Sequence, residues 1–237
     1  MDCLWCGQFL QPSFRWNTIF GIQEQPAICE KCRNSLIIIS GEICRVCGRM
    51  LEMTDPAYVN NEICVDCLRW EESSIWRDSI FLNRSLYAYN EAMKDFFTLF
   101  KFRGDVAAAE GIREEWQMFW RQQDKHDLIV PIPLSEERLY ERGFNQSLIL
   151  AEMLSSDVAD VLLRPFHLEK QSKKTRKERL HSKQNVFTIK KGVDVQGKTI
   201  LLIDDIYATG TTVRNAAILL YEHGAHRVQS LTVARAY

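Results

Sequence analysis

The sequence predicts an α/β protein: a parallel sheet with helices on both faces, preceded by a small cysteine-rich metal-binding domain. Two observations predict it. Residues 198–234 of this 237-residue chain run strand, helix, strand, which is a βαβ unit and implies a parallel sheet. All eight cysteines lie before residue 68, and each belongs to a C-x-x-C pair. The expected division is a zinc-binding domain over 1–78 and an α/β domain over 79–237.

The cysteines fall as Cys3/Cys6, Cys29/Cys32, Cys44/Cys47 and Cys64/Cys67. Two thiolates three residues apart on a tight turn reach one tetrahedral zinc, and two such knuckles close a four-cysteine site. Gly7 and Gly48 each follow a knuckle, where a positive φ is often needed. Eight thiolates at four per site predict two zinc ions. With no open coordination position, both are structural rather than catalytic. A disulfide framework would require an oxidising compartment, and a redox dithiol needs only one copy of the motif. Sequential pairing puts Cys3, Cys6, Cys29 and Cys32 on one zinc; an interleaved pairing also satisfies the spacing.

Ile80 to Tyr89 reads as an extended segment entering the second domain. Glu91 to Phe102 carries apolar residues at 92, 93, 96, 97, 99, 100 and 102, a helix with a broad buried face that Gly104 ends. Lys101 and Arg103 close it, either as last-turn cations complementing the helix dipole or as anion ligands. Val106 to Gln122 reads as one further helix, with Trp116 and Trp120 four apart on a core face. Asp127 to Pro133 (DLIVPIP) reads as a short buried strand ending in a loop. A helix from Ser135 should break at Gly143, and Asn145 can cap the next. Arg138 and Arg142 flank that break, as an anion site or as a solvated pair.

Net charge is −1, but Arg164 to Lys191 holds ten basic and two acidic residues, a balance of +8 against −9 elsewhere. Gln171 to Phe187 has no clean hydrophobic period and reads as a loop or arm. Lys173, Lys174, Arg176, Lys177 and Arg179 within it are candidates for nucleic-acid phosphates. Val186 to Ile189 reads as a strand edge.

Lys198 to Ile203 (KTILLI) then reads as a buried parallel strand, and Val213 to Glu222 as a helix stopped by Gly224. Arg227 to Ala234 returns as a strand. Between strand and helix stand Asp204 and Asp205, then Ala208, Thr209, Gly210, Thr211 and Thr212. A strand that ends in paired carboxylates, followed by a glycine and hydroxyl loop at a helix N-terminus, suits a sugar on one side and a phosphate on the other. Simple turn and cap chemistry also uses Asp and Thr, but does not need two consecutive aspartates after an apolar strand. A ribose 5-phosphate satisfies both halves.

Composition is that of a globular chain, 46% apolar and 26% charged. The main uninterrupted apolar runs, Leu36–Ile39, Ile200–Ile203 and Ala216–Tyr221, are far short of the ~20 residues of a membrane span. The N-terminus MDCLWCGQFL has neither a basic leader nor an apolar signal core. A cytoplasmic protein with no membrane insertion is therefore expected.

The segment LLIDDIYATGTTV resembles the phosphoribosyl pyrophosphate motif of type I phosphoribosyltransferases. The resemblance implies a phosphoribosyltransferase-like (Rossmann-like) domain in which Asp204 and Asp205 take the ribose hydroxyls and Ala208, Thr209, Gly210, Thr211 and Thr212 take the 5-phosphate. It also implies that the loop of Val130–Pro133, with Pro131, receives the pyrophosphate. Lys101, Arg103, Arg138 and Arg142 are the candidate anion partners, and the basic segment lies where a flap over the site can arise. FKFRG at 100–104, VPIPL at 130–134, RGFNQS at 142–147, ERLHSKQNVF at 178–187 and IDDIYATGTTV at 203–213 follow the cysteines in this order. The whole chain thereby resembles the ComF family of competence proteins.

The family resemblance implies a role in DNA uptake during natural transformation, on internalised single-stranded DNA and beside a ComFA-type DEAD-box helicase. Three functions fit: a competence factor that binds DNA or the helicase, a magnesium-dependent phosphoribosyltransferase with an acceptor that no residue identifies, or a ligand sensor without turnover. In the enzymatic case the magnesium would neutralise the leaving pyrophosphate, and the aspartates would position the ribose.

Overall fold

The computed structural model describes residues 1–10, 26–72, 81–102, 104–165 and 186–237. Arg103 and the candidates Lys173, Lys174, Arg176, Lys177 and Arg179 lie outside these residues, as does the expected domain boundary at 78/79. In chain order the N-terminal part contains α1 (Glu30–Asn34), the short strands β1 (Val59–Asn60) and β2 (Ile63–Cys64), and α2 (Val65–Glu71). The remainder contains β3 (Phe81–Ala88), α3 (Glu91–Phe102), a 3-10 segment (Val106–Ile112), α4 (Arg113–Arg121), β4 (Leu128–Pro131), α5 (Glu136–Arg142) and α6 (Gln146–Glu152). The small pair β5 (Leu162–Leu163) and β6 (Thr188–Ile189) leads to β7 (Thr199–Tyr207), α7 (Thr211–Glu222) and β8 (Arg227–Arg235).

Four strands form one sheet in the order β3-β8-β7-β4, every neighbour parallel. Parallel neighbours need a crossover, and α7 supplies it between β7 and β8. Successive strand residues point to opposite faces, which divides the core in two. Ile200 and Leu202 face α7 and the cysteines of the Cys44–Cys67 region. Leu201 and Ile203 face α3, the 3-10 segment and α6. A strand covered on both faces must be apolar without interruption, hence LLI before the aspartates.

The edge strand β3 is not left bare. Ile39 N donates to Leu86 O at 2.9 Å and Ala88 N to Ile37 O at 2.8 Å, so residues 37–39 pair against it antiparallel and occupy hydrogen-bonding groups that would otherwise invite another chain.

Two elements differ from expectation. The segment expected as one helix over Val106–Gln122 is a 3-10 turn to Ile112 and an α-helix only from Arg113 to Arg121. Tertiary contact explains it: Trp5 Nε1 donates to Ala108 O at 2.9 Å, and a Cβ on Gly111 would stand 2.6 Å from Ile28 and 2.7 Å from Trp5. Trp116 is fully buried and Trp120 packs beside it, as the core reading requires. The second difference is that β7 does not stop at Ile203 but continues through the aspartates to Tyr207, paired in parallel with β8 as far as Arg235.

Candidate functional site: an acidic pair and a glycine–threonine loop beside a buried cysteine centre

Asp204 and Asp205 lie at the carboxyl end of β7, at the edge of the sheet where ligands of open α/β folds bind. Asp204 Oδ1 accepts from Ser147 Oγ at 3.0 Å and from Asp205 N at 2.9 Å. Asp205 Oδ2 meets Lys101 Nζ at 2.6 Å, with both side chains largely buried. Lys101 thus neutralises Asp205 while its ammonium lies 4.5 Å from the Phe97 ring centroid. Desolvation first, and then the Asp205 charge, push the Asp204 carboxyl up to about 7, against the opposing hydrogen bonds from Asp205 N and Ser147 and the Lys101 charge.

The loop that follows joins β7 to α7. Gly210 takes φ +81° as N-cap of the twelve-residue α7 and brings no capping side chain of its own, while Thr209 Oγ1 accepts from Thr211 N at 3.4 Å. Between Thr211 N and Arg214 N, which donates to Gly210 O at 2.9 Å, the first-turn N–H groups lie at the positive end of the helix dipole. Thr209 and Thr211 share a hydroxyl hydrogen bond of 2.9 Å, and Ala208, Thr209, Thr211 and Thr212 are exposed.

The loop after β4 is tied to the same end of the sheet. Asn145 caps α6 by accepting from Ser147 N and donates to Ile132 O at 3.1 Å. Pro131 is buried at the end of β4, whereas Arg138 is exposed on α5. Ser135 and Gly143 (φ +77°) bound that helix. Arg142 donates to Gln146 Oε1 at 2.8 Å. Arg164 went unread in the sequence as a site residue, yet it lies close enough to feel both Arg138 and Asp204; burial is the first cause that lowers its pKa. Ser147 was also missed. Its only signal was its place in the first turn after a capping asparagine.

The eight cysteines form two groups in sequential pairing, Cys3/Cys6/Cys29/Cys32 and Cys44/Cys47/Cys64/Cys67, with sulfurs in each group within 4.8 Å of one another. None is disulfide-bonded. Four thiolates about 2.3 Å from one zinc stand about 3.8 Å apart. Cys3–Cys32 at 3.9 Å, Cys6–Cys29 at 3.7 Å and Cys47–Cys64 at 3.7 Å match that edge. Backbone N–H groups of Cys29 and Cys64 point at Cys3 Sγ and Cys44 Sγ, as knuckle turns do for a thiolate, and Gly7 and Gly48 carry positive φ. The two clusters fit two structural zinc ions.

The second cluster is set into the sheet. All four of its cysteines are buried, Arg235 Nη2 donates to Cys47 Sγ at 3.5 Å and Arg214 Nη2 to Cys67 Sγ at 3.8 Å. Hydrogen bonds from Cys44, Cys64 and Cys67, together with Arg235, hold the Cys47 thiol far below its ordinary value. Neither arginine was legible as a metal-centre neighbour; each reads as an ordinary position on an amphipathic helix or a strand.

Fold and site together define a class: a double zinc ribbon joined to a phosphoribosyltransferase-type domain. Residues 1–68 match the double zinc ribbon domain family and residues 145–236 the phosphoribosyl transferase domain family. The chain is 40% identical to competence protein ComFC of Bacillus subtilis, over 98% of this chain and 94% of that one. It is 33% identical to competence protein ComFC of Streptococcus pneumoniae, over 99% and 100%. DNA utilization protein YhgH of Salmonella typhimurium is 28% identical over 89% of this chain and 97% of its own. The chain belongs to the ComFC family. Among the described residues no helix is long and apolar enough to cross a membrane.

Proposed function

We propose that this chain acts in competence, on single-stranded DNA beside a ComFA-type helicase, and that it binds phosphoribosyl pyrophosphate with magnesium at residues 204–212. The observation that carries the ligand reading is the juxtaposition of the Asp204/Asp205 pair with the exposed glycine and threonine loop at the N-terminus of α7. The carboxylates answer the ribose hydroxyls and the loop amides answer the 5-phosphate. Arg138 and Arg142 would meet the pyrophosphate, and magnesium would supply charge neutralisation there. The names of the relatives and the +8 balance of residues 164–191 support the DNA half of the reading.

Calorimetry with phosphoribosyl pyrophosphate and magnesium tests the ligand. Saturable binding by the wild type, lost in Asp204→Ala/Asp205→Ala, is expected; undetectable wild-type binding removes the reading. Release of pyrophosphate in the presence of candidate acceptors decides turnover. Single-stranded DNA binding should weaken steeply with salt and on replacing Lys173, Lys174, Arg176 and Lys177 by glutamate; binding indifferent to both rejects a direct DNA role.

A further inference from the structure

The phosphate loop and the buried cysteine centre touch through four side chains. Tyr207 stands under the loop: a Cβ on Gly210 would lie 2.1 Å from its hydroxyl. That hydroxyl accepts from Arg214 Nε at 3.3 Å, and the same guanidinium reaches Cys67 Sγ at 3.8 Å. Arg235 donates to Tyr207 O at 3.2 Å and Ala208 O at 2.8 Å, reaches Cys47 Sγ at 3.5 Å, and stacks 4.8 Å from the Tyr207 ring. From the zinc-ribbon side, Trp70 on α2, three residues past Cys67, donates Nε1 to Thr209 O at 3.2 Å and lies 5.1 Å from the Arg214 guanidinium.

Each of these links ends on the loop or immediately beneath it. The carbonyls of Tyr207, Ala208 and Thr209 are held from behind, which leaves their amide sides for the front. The two arginines are almost fully buried, and a buried cation needs an anionic partner. Thiolates held by zinc keep net negative charge at the centre and so supply it. Among the described residues the first cluster has no such link to the loop: its neighbourhood meets the rest of the fold at the 3-10 segment, through Trp5 and Ala108, and at α4, through Arg33 and Glu115.

We propose that the Cys44/Cys47/Cys64/Cys67 centre is the positioning element of the phosphate loop, acting through Arg214, Arg235, Tyr207 and Trp70, so that zinc at this centre and a phosphoribosyl ligand at the loop strengthen each other's binding. The proposal rests on the ligand reading above. Because coupling between two sites is reciprocal, it can be read at the metal as well as at the loop.

The test uses the full zinc-loaded chain. Zinc is withdrawn at equilibrium by graded zinc-selective chelator, with and without saturating phosphoribosyl pyrophosphate and magnesium, and ligand affinity is measured separately by calorimetry. One of the two zincs, the one harder to remove, should become about fivefold or more harder to remove with ligand present, while the other is unmoved. Tyr207→Phe and Trp70→Phe should keep two zincs, bind ligand about fivefold or more weakly and lose most of that shift. Tyr207→Phe removes a single oxygen, so the comparison survives a Trp70→Phe chain that does not fold. A wild type that binds ligand with neither zinc affected overturns the proposal alone, as does a shift confined to the easily removed zinc or variants indistinguishable from wild type. A wild type that binds no ligand overturns the ligand reading and the proposal with it.

Discussion

The two four-cysteine clusters have the same ligands in the same C-x-x-C spacing but different surroundings. In the first, Cys6 is exposed, Cys29 and Cys32 are half-buried, and only Cys3 is buried. Backbone N–H groups of Cys6, Cys29 and Trp5 bring the Cys3 thiol down to about 6 although burial works against them. In the second, every cysteine is buried and two buried arginines point at the sulfurs. Ligand spacing specifies a metal; neighbours decide what the metal holds in place. The first cluster pins an extension onto the helical face of the sheet, and the second is part of the opposite core, with Phe81, Leu202 and Val213 around it.

The largest break in this comparison should come from the ligands themselves. Cys47→Ser removes a thiolate from the core, where zinc binding is folding energy, and is expected to yield an insoluble or molten chain. Cys6→Ser at the exposed cluster should lose one zinc yet retain a cooperative thermal transition for the sheet. Zinc per chain and calorimetric unfolding check both, and equal damage from the two would erase the contrast.

Next come the arginines. Arg214→Met leaves Cys67 and Tyr207 without their buried donor and should cost about 3–5 kcal/mol in denaturant unfolding. Arg33 pairs with Glu115 beside the first cluster, but its side chain is 37% exposed, so Arg33→Met should cost only ~0–1 kcal/mol.

Glycines sharpen the difference further. Gly210 and Gly7 both have positive φ, yet a Cβ on Gly210 collides with Tyr207 while one on Gly7 meets nothing within 4 Å. Gly7→Ala should cost about 1–2 kcal/mol for the backbone alone. Gly210→Ala should add about 1–3 kcal/mol of overpacking and weaken phosphoribosyl ligand binding, measured by urea titration and calorimetry.

How much of this was legible follows range along the chain. The knuckles, the βαβ unit, the strand at Leu128–Pro131 and the stop at Gly143 rest on local periodicity and caps, which a sequence displays directly. The acidic pair and the loop were legible for the same reason. What was not legible is long-range. Lys101 read as a helix-end cation or an anion ligand, and its pairing with Asp205 was hidden because the two are 104 residues apart. Arg235 meets Cys47 across 188 residues, and no spacing rule reaches that far. The 3-10 break at Val106–Ile112 was hidden because Trp5, not the local sequence, takes the Ala108 carbonyl. Choice between sequential and interleaved zinc pairing likewise depended on which knuckles the fold brings together.

The acidic pair repeats the lesson of the cysteines at smaller scale: adjacent and identical in sequence, Asp205 is matched by Lys101 while Asp204 is pushed up from 3.8 to about 7. The sign follows from linkage. Between those two values the folded chain keeps a proton that the unfolded chain has released, so Asp204's contribution to stability is present below about pH 4 and is lost as the pH rises through about 7. Ribose hydroxyls donating to the pair favour the ionised carboxylate and expel the proton. Binding of phosphoribosyl pyrophosphate with magnesium should therefore tighten about tenfold between pH 6 and 8, roughly 1.4 kcal/mol, beyond whatever the ligand's own phosphates contribute. Calorimetry in buffers of different ionisation enthalpy counts the proton, and Asp204→Asn should remove it while leaving the ligand's own titration. If that variant releases as many protons as the wild type, the proton belongs elsewhere and the two aspartates are not distinguished by their surroundings.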